Sequence, residues 1–341
     1  MRTARFALGV AAITACDVGP THDDPAHGPA LHVVAMVPEN ARGLDCDRSQ
    51  PDCAVPTNTP IRLSFDRPLW PSTAVRQSIS IFVKQSAAYS PFLSPEYDLL
   101  TRSVTFRMGG TLLPGVLYQL RLPIAESPSD AGFRAFDGAP LEDGPVLTSS
   151  SFFTADGPRE MPPPPSFQEP TCAQVVEVLR STCASSCCHG SVLPAMGLAL
   201  DSADALTDTA ILRVAHQAET GSALGSSLVN PARFGVGMRR IEPGRSYASY
   251  VMYKLLRNRD NLGPCAEGSR FCDLPGANEC SPLSEAEEER LAGWFVRGEP
   301  MPPTPEAAHW MGCDDLPARP HLDCGDLRAI ARFIDRGASC P

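Results

Sequence analysis

The chain has 341 residues, of which 43% are hydrophobic and 20% are charged, and its formal net charge is −10. This length and composition are those of a globular chain large enough for two ordinary domains. The negative charge excludes a nucleic-acid partner, because neutralising a phosphate backbone requires a basic face. The 35 prolines predict many turns and extended connections and few long helices.

Residues 1–15 have the pattern of a signal peptide, with a basic start, an apolar run at 6–12 and small residues before Cys16. The segment Ile13–Cys16 resembles a bacterial lipobox, which implies that Cys16 is lipidated and that 16–29 is a polar tether. A plain secretory signal, with Cys16 incidental, is the alternative. No later stretch approaches the ~20 apolar residues that span a bilayer. We therefore expect a lipoprotein of the cell envelope, anchored to a membrane and facing the periplasm or the cell surface.

Short alternating strands dominate residues 30–156. Apolar and polar residues alternate in several runs, and Pro, Gly, Asn and Asp cluster between the runs. This pattern predicts an antiparallel β-sandwich. The predicted strands are Leu31–Val37, Ile61–Phe65, Ile79–Val83, Ser103–Phe106, Leu117–Leu122 and Ser151–Thr154.

The same region resembles the bacterial Ig-like domain of surface-layer and envelope proteins. The resemblance is carried by Val55–Leu69, Leu113–Leu120 and the closing Ser151–Thr154. It implies a spacer or adhesion-type module without catalysis. Cys46 and Cys53 frame an inserted loop, and their spacing predicts a small local disulfide.

A proline-rich segment at 157–170 separates two domains. Its run Pro162–Pro165 favours a stiff polyproline conformation, which is typical of a spacer. The second domain begins with a predicted helix. Thr171 and Gln174 fit a capping box, and the apolar face that follows them ends at Cys183.

That helix runs into the motif Cys183-Ala-Ser-Ser-Cys187-Cys188-His189. A c-type haem needs two thiols for its vinyl groups and a histidine directly after the second thiol, and the standard spacing is C-x-x-C-H. Here Cys183 and Cys188 give C-x4-C-H, with Ser185 at the place of the usual first thiol. Two alternatives stay open. The motif attaches haem through Cys183, Cys188 and His189, or its cysteines form disulfides in an exported domain and His189 is an ordinary surface residue.

The chain around and after this motif resembles the cytochrome-c-like domains of exported proteins from planctomycetes and myxobacteria. The matching stretches are Gly197–Ala203, Val229–Pro231, Ile241–Tyr250, Met252–Leu256 and Leu283–Gly298. The resemblance implies that 171–341 is a mostly α, disulfide-rich domain with one haem c. Cys183 and Cys188 would hold the ring, and His189 would be the proximal iron ligand. The expected fold class is an all-β Ig-like sandwich followed by this cytochrome-c-like domain.

The family places a distal methionine ligand in a Met-Pro-Pro segment before its last helix. That helix is present twice here, because Leu283–Gly298 aligns without gaps with Leu322–Gly337. Met301, followed by two prolines, precedes the second copy and is the first candidate for the distal ligand. A methionine thioether would raise the reduction potential of the iron. The further candidates are Met238, His216 and His309.

The chain has 13 cysteines, so an even number remains once Cys16 is set aside. An even number fits complete pairing, and it fits equally well a set of disulfides plus a two-thiol haem attachment. Both alternatives indicate an oxidising compartment. The disulfide candidates are Cys46, Cys53, Cys172, Cys187, Cys265, Cys272, Cys280, Cys313, Cys324 and Cys340.

Three functional hypotheses follow. In the first, the protein is an envelope-anchored one-electron carrier with a c-type haem and a redox protein partner, and it is not an enzyme in the strict sense. In the second, the fold persists without haem, and a disulfide-stapled structural or binding lipoprotein uses the Ig-like module for surface interactions. In the third, Cys187, Cys188 and His189 bind copper or zinc. The chain contains no Gly-x-Ser-x-Gly or His-Glu-x-x-His hydrolase signature.

Overall fold

A computed structural model of the protein describes most of the chain from residue 28 onwards. The described residues are 28–45, 53–84, 91–125, 130–160, 166–184, 188–192, 194–215, 237–265, 269–294, 296, 300–303 and 321–341. Several predicted features lie outside these ranges, namely Cys16, Cys46, Cys187, Cys313, His216, His309 and the proline run 162–165.

The N-terminal region is built from β-strands. Those within the described residues are β1 (Val33–Val37), β2 (Ile61–Phe65), β3 (Ser80–Val83), β4 (Leu93–Asp98), β5 (Ser103–Met108), β6 (Leu117–Arg121) and β7 (Ser149–Phe153). Successive side chains of a strand point to opposite faces of the sheet. Accordingly Ile61, Leu63 and Phe65 of β2 are buried, whereas the residues between them are half-buried.

These strands form two antiparallel sheets, with the orders β1-β2-β5-β4 and β3-β6-β7. Leu63 lies opposite Val104 in the first sheet, and Ile81 lies opposite Leu120 in the second. All four side chains belong to one buried core. The prediction of an N-terminal β region is therefore confirmed, and its strands pair as the alternating pattern requires.

Strand β4 is absent from the prediction. Its sequence begins Leu93-Ser94-Pro95, and proline has no N–H to donate to a neighbouring strand. The structure places β4 at the edge of its sheet, where only β5 pairs with it. A proline is tolerated there because one side of the strand needs no partner. Because of this proline, the sequence pattern did not predict β4. Its position became clear only from the order of the strands in the sheet.

The C-terminal region is helical. Its α-helices within the described residues are α1 (Cys172–Thr182), α2 (Ala203–Thr209), α3 (Tyr250–Leu256), α4 (Glu285–Trp294) and α5 (Cys324–Asp335). None of these helices is long and apolar enough to cross a membrane. The division into a strand region followed by helices is that expected from the sequence.

The helix starts follow the predicted capping residues. Thr171 and Gln174 form the expected capping box at the start of α1, and Asp323 and Asp326 form one at the start of α5. Each box satisfies backbone N–H groups that have no partner inside the helix. These two predictions are confirmed.

Disulfides connect the helical region. Cys172 is bonded to Cys340, Cys265 to Cys272 and Cys280 to Cys324. The first of these joins the start of α1 to the end of the chain beyond α5, and the two helices are in contact. In the sandwich region, Cys53 is also disulfide-bonded. The prediction of a disulfide-containing C-terminal region is confirmed.

The two regions share a buried interface. The Arg67 guanidinium lies 2.7 Å from Asp137 of its own region and 2.7 Å from Glu287 of α4. All three side chains are at most 8% exposed. Elsewhere, Arg328 of α5 lies 2.7 Å from Asp98 of β4. The sandwich and the helices therefore pack directly against each other.

Candidate functional site

The cysteine–histidine motif lies at the end of α1. The helix ends at Thr182, and Cys183 is its C-cap, with its N–H donating to the carbonyl of Leu179. The apolar face of α1 is buried, Leu179 at 1% exposure, so the helix is held in the core and fixes where the motif begins. The sequence-based expectation that the motif follows a helix C-terminus is confirmed.

The backbone of His189 is hydrogen-bonded to the end of the helix. Its backbone N–H donates to the carbonyl of Cys183 at 3.2 Å. Two further backbone bonds hold the following loop, from Ala195 to Cys188 at 2.7 Å and from Leu200 to His189 at 2.8 Å. The structure thus brings together the three residues of the haem hypothesis: Cys183, Cys188 and His189.

The imidazole of His189 has a defined orientation. Its Nδ1 lies 3.0 Å from the carbonyl oxygen of Leu198. A carbonyl oxygen only accepts hydrogen bonds, so Nδ1 must carry the proton and donate. In the neutral ring the lone pair then resides on Nε2, which is the arrangement of a metal-ligating histidine whose other nitrogen is held by a backbone carbonyl.

The protonation state of His189 agrees with that arrangement. Burial lowers the pKa of the imidazole, and the positive charges of Lys254 and Arg240 lower it further, while hydrogen bonds to the backbone of Leu198 and Ala195 act in the opposite direction. The neutral ring is therefore the favoured form near pH 7. A neutral imidazole is the form that binds metals.

The two thiols of the hypothesis differ from the other described cysteines. Cys183 and Cys188 are free, whereas Cys53, Cys172, Cys265, Cys272, Cys280, Cys324 and Cys340 are disulfide-bonded. Thus the unpaired thiols among the described residues are the two that precede His189 in the C-x4-C-H motif.

Cys183 is more deeply buried than Cys188. It is 2% exposed, and burial raises the pKa of its thiol to about 12, against a smaller opposing effect of its hydrogen bond with Thr182. Cys188 lies close enough to raise that pKa further through charge repulsion. Cys188 itself is partly exposed. Cys183 is therefore a thiol at physiological pH, and Cys188 is the more accessible of the pair.

Arg240 organises the loop after the motif. Its guanidinium donates to three carbonyl oxygens, those of Met196, Gly197 and Thr209, at 2.7, 2.8 and 2.7 Å. These bonds tie the segment that carries Leu198 to α2. The sequence reasoning did not find Arg240, because nothing in the local pattern distinguishes an arginine that binds distant backbone carbonyls. The Leu198 carbonyl is a backbone group, so the identity of the residue gives no indication of its role.

Met301, the first candidate for the distal ligand, is buried. It is 8% exposed, its N–H donates to the carbonyl of Lys254 at 3.2 Å, and its carbonyl accepts from Asn261 at 2.8 Å. Lys254 is thus bonded to Met301 through its backbone carbonyl, and its side-chain charge acts on His189. Met238, the second candidate, is partly buried in the short ladder with 211–215.

The donor types are those of a c-type haem site. They comprise two free thiols and an imidazole whose Nδ1 is already engaged, at the C-x4-C-H spacing instead of the standard C-x-x-C-H. A surface pocket of about 460 Å³ lies elsewhere. It is lined by Cys172 and Ala173 at the start of α1 and by Phe333 and Arg336 at the end of α5, and thus lies at the opposite end of α1 from Cys183.

Comparisons with known proteins give no family assignment. No family model matches the chain, and no curated protein matches it. The solved structures that are similar include the bacterial S-layer protein SbsC, at 15% identity and a TM-score of 0.26, with 42% of this chain matched to 16% of that chain. The copper resistance protein PcoC of Escherichia coli matches at 15% identity and a TM-score of 0.23, over 36% of this chain and 97% of that chain.

An LD transpeptidase solved in complex with imipenem is also similar, at 16% identity and a TM-score of 0.21, over 34% of this chain and 41% of that chain. The structural neighbours thus include S-layer domains of the β-sandwich type at low identity. The matched part of this chain spans less than a third of those S-layer chains.

Proposed function

We propose that the protein is an envelope-anchored one-electron carrier in which the helical region holds a c-type haem. The observation that carries the proposal is the state of three residues. Cys183 and Cys188 remain free while the other described cysteines are bonded, and His189 presents the Nε2 lone pair because Leu198 holds its Nδ1 proton.

The chain's own residues have separate roles in this proposal. Cys183 and Cys188 provide the thiols for two thioether bonds, and His189 provides the proximal ligand. Arg240 fixes the loop that carries the Leu198 carbonyl, so that the imidazole keeps one orientation. When bound, haem supplies an iron that accepts and returns one electron. The positive charges of Lys254 and Arg240 near His189 would favour the reduced, less positive iron.

Met301 is the distal ligand in this proposal. Its burial and its backbone bonds to Lys254 and Asn261 hold the thioether away from water. A thioether ligand supplied by Met301 would raise the reduction potential of the iron. Met238 is the second candidate, and the two are separated by their effect on the potential when each is changed to alanine.

The proposed location follows from the N-terminus. Lipidation of Cys16 would anchor the chain to a membrane through its lipid, and the sandwich would support the haem-bearing region at the periplasmic or outer surface. The buried contacts of Arg67 with Glu287 support a fixed orientation of the two regions rather than a loose tether. The partner would be another redox protein of the envelope.

The first test expresses the whole chain with its signal in a host that has haem-attachment machinery. We expect a Soret band that survives acid–acetone extraction, and an intact mass increased by one haem. Cys188→Ser and His189→Ala should abolish the native band. His321→Ala is the matched control, because His321 is exposed and distant in sequence from the motif.

The cysteine control is the double variant Cys265→Ser/Cys272→Ser, which removes a disulfide and should retain haem. In haem-loaded protein, Met301→Ala should lower the reduction potential, and Met238→Ala should leave it unchanged. Colourless wild-type protein from this host, with no added haem mass, would overturn the proposal. That result would leave the haem-free structural or binding lipoprotein, and metal analysis of the same sample would decide on copper or zinc.

A further inference from the structure

A second cluster of ligand-type side chains lies at the start of α5. The Sγ atoms of Cys265 and Cys272 and a carboxylate oxygen of Asp323 all lie within 4.8 Å of one another. The two sulfurs are joined in a disulfide, so the cluster cannot bind a metal in this state. It shares no residue with the haem motif.

The carboxylate of Asp323 is buried and only partly hydrogen-bonded. The residue is 6% exposed, and its Oδ1 accepts the N–H of Asp326 at 2.9 Å as the N-cap of α5. Its Oδ2 is buried and has no hydrogen-bond donor among the described residues. A buried carboxylate oxygen without a donor costs free energy, and such an oxygen in a native fold needs an explanation. The Cys265 sulfur lies 3.9 Å from Oδ1 of the same carboxylate, so a cation held by the sulfurs would lie beside this incompletely bonded group.

The helix comes unusually close to Cys265. A Cβ added at Gly325 would lie 2.7 Å from the Cys265 sulfur and 3.0 Å from the backbone of Phe271. Only glycine therefore allows α5 to approach the sulfur in this way.

We propose that Cys265, Cys272 and Asp323 form a redox-switched site for a divalent metal of the zinc type. A dithiol reductant donates two electrons and two protons to the Cys265–Cys272 bond and becomes a disulfide itself. The two thiols then lose their protons to solvent as they bind the metal. Two thiolates and one carboxylate suit tetrahedral Zn²⁺, with water in the fourth position.

The Cys265–Cys272 disulfide should be reduced before its neighbour, because its sulfur atoms are more accessible. Cys265 and Cys272 are both partly exposed, whereas Cys324 of the neighbouring disulfide is 1% exposed. Thiol exchange requires a line of attack on a sulfur, and in the Cys280–Cys324 bond only the partly exposed Cys280 offers one, whereas both sulfurs of Cys265–Cys272 do. Cys265–Cys272 also spans only 7 residues of sequence, and its opening leaves the longer cross-links in place.

The test uses the whole chain carrying Cys183→Ser and Cys188→Ser, so that the haem-motif thiols cannot contribute. The protein is treated with a limiting amount of dithiothreitol, and the reduced cysteines are identified by alkylation and mass analysis. Co²⁺ is then added as a spectroscopic probe, followed by Zn²⁺ as a competitor. We expect one equivalent of Co²⁺ with thiolate charge-transfer absorption, displaced by Zn²⁺, and no such signal before reduction.

Two variants separate ligands from structural effects. Cys265→Ser/Cys272→Ser should abolish the signal, and Asp323→Asn should weaken Co²⁺ binding on the order of tenfold or more, because a charged ligand is lost. Asp326→Asn is the matched control, since it perturbs the same capping box without removing a member of the cluster. Circular dichroism establishes that each variant is folded. A reduced chain that binds no Co²⁺, or equal binding by wild type and Asp323→Asn, would overturn the proposal.

Discussion

The sandwich and the helical region solve the same stability problem by different means. The sandwich relies on paired sheets and large buried side chains, among them Phe65, Phe106 and Phe152. The helical region has short helices, three of them no longer than 10 residues, and it contains the three disulfides with both partners described. Short helices are only marginally stable alone.

The difference indicates which region of the molecule is sensitive to reductant. Burial of apolar surface does not depend on redox state, whereas a disulfide does. The sandwich should therefore tolerate reductant, and the helical region should lose its cross-links in it. The region held by cross-links is also the one in which the free thiols of Cys183 and Cys188 and the imidazole of His189 are found together.

The largest expected loss of stability comes from a cavity in the apolar core of the sandwich. Phe106 is fully buried and contacts Phe133 with 6.3 Å between ring centroids. Phe106→Ala should lower the free energy of unfolding by about 4 kcal/mol, because it leaves a cavity as well as losing burial. Urea unfolding with and without dithiothreitol should give the same loss. Phe92→Ala, at a side chain that is 75% exposed, is the control and should have little effect.

The next prediction removes the charge that joins the two regions. Arg67→Met would leave Asp137 and Glu287 as buried carboxylates without this cation, and we expect a loss of about 3 kcal/mol together with separate unfolding of the two regions. Arg107→Met is the control, because the Arg107–Glu96 pair is more than half exposed and worth at most about 1 kcal/mol. Tryptophan fluorescence and circular dichroism should then give different midpoints for Arg67→Met. Coincident midpoints with unchanged stability would contradict the role of this contact.

Disulfides of different loop length sharpen the comparison further. Cys172–Cys340 spans 168 residues and Cys265–Cys272 spans 7. Because loop-closure entropy grows with length, replacing the first pair by alanine should cost about 3 kcal/mol more than replacing the second. Thermal unfolding of the oxidised double variants measures the difference. Equal costs would show that native contacts, and not the constraint on the unfolded chain, set the stability.

The smallest effect is one of pH, and it compares one tyrosine from each region. Burial raises the pKa of Tyr97 in β4 and of Tyr253 in α3 above the ordinary value. Above about pH 10 the unfolded chain loses these protons while the folded chain retains them, so stability should fall as the pH rises. Below that pH both states are protonated and the effect vanishes.

Tyr97→Phe and Tyr253→Phe form a matched pair for this test. Each removes one buried hydrogen bond, from the Leu69 N–H to Tyr97 or from Tyr253 to the Tyr247 carbonyl, at a cost of about 1 kcal/mol at neutral pH. Each should reduce the alkaline loss of stability. Denaturation at pH 8 and pH 11, in protein whose free thiols are blocked, gives the result. An alkaline loss identical in wild type and both variants would exclude these tyrosines as its cause.

Local patterns predicted the parts of the fold that local physics decides. The strand at 61–65 has the predicted bounds, because alternation of apolar and polar residues matches the period of a strand. The capping box of Thr171 and Gln174 needs only residues three apart. Strand β4 was not predicted, since Pro95 is acceptable only at a sheet edge and the edges of a sheet are known only once its strands are assembled.

The candidate site likewise has residues that the sequence indicated and partners that only the structure showed. Sequence spacing was sufficient to single out Cys183, Cys188 and His189. It gave no sign of the Leu198 carbonyl that sets the tautomer, of the three carbonyls bound by Arg240, or of the charge of Lys254 near the ring. These partners lie 9 or more residues away from His189 or on other elements, and their alignment depends on how the loop folds back on α2 and α3.

By itself, then, the sequence determined the order of strands before helices, the helix starts and the residues of the motif, since each depends on neighbours along the chain. Tertiary structure decided which cysteines pair across 168 residues, which side of the His189 ring carries its proton, and how Arg67 reaches Glu287 across 220 positions. Such pairings depend on the free energy of the whole packed molecule, in which buried charges and thiols must find partners from distant parts of the chain.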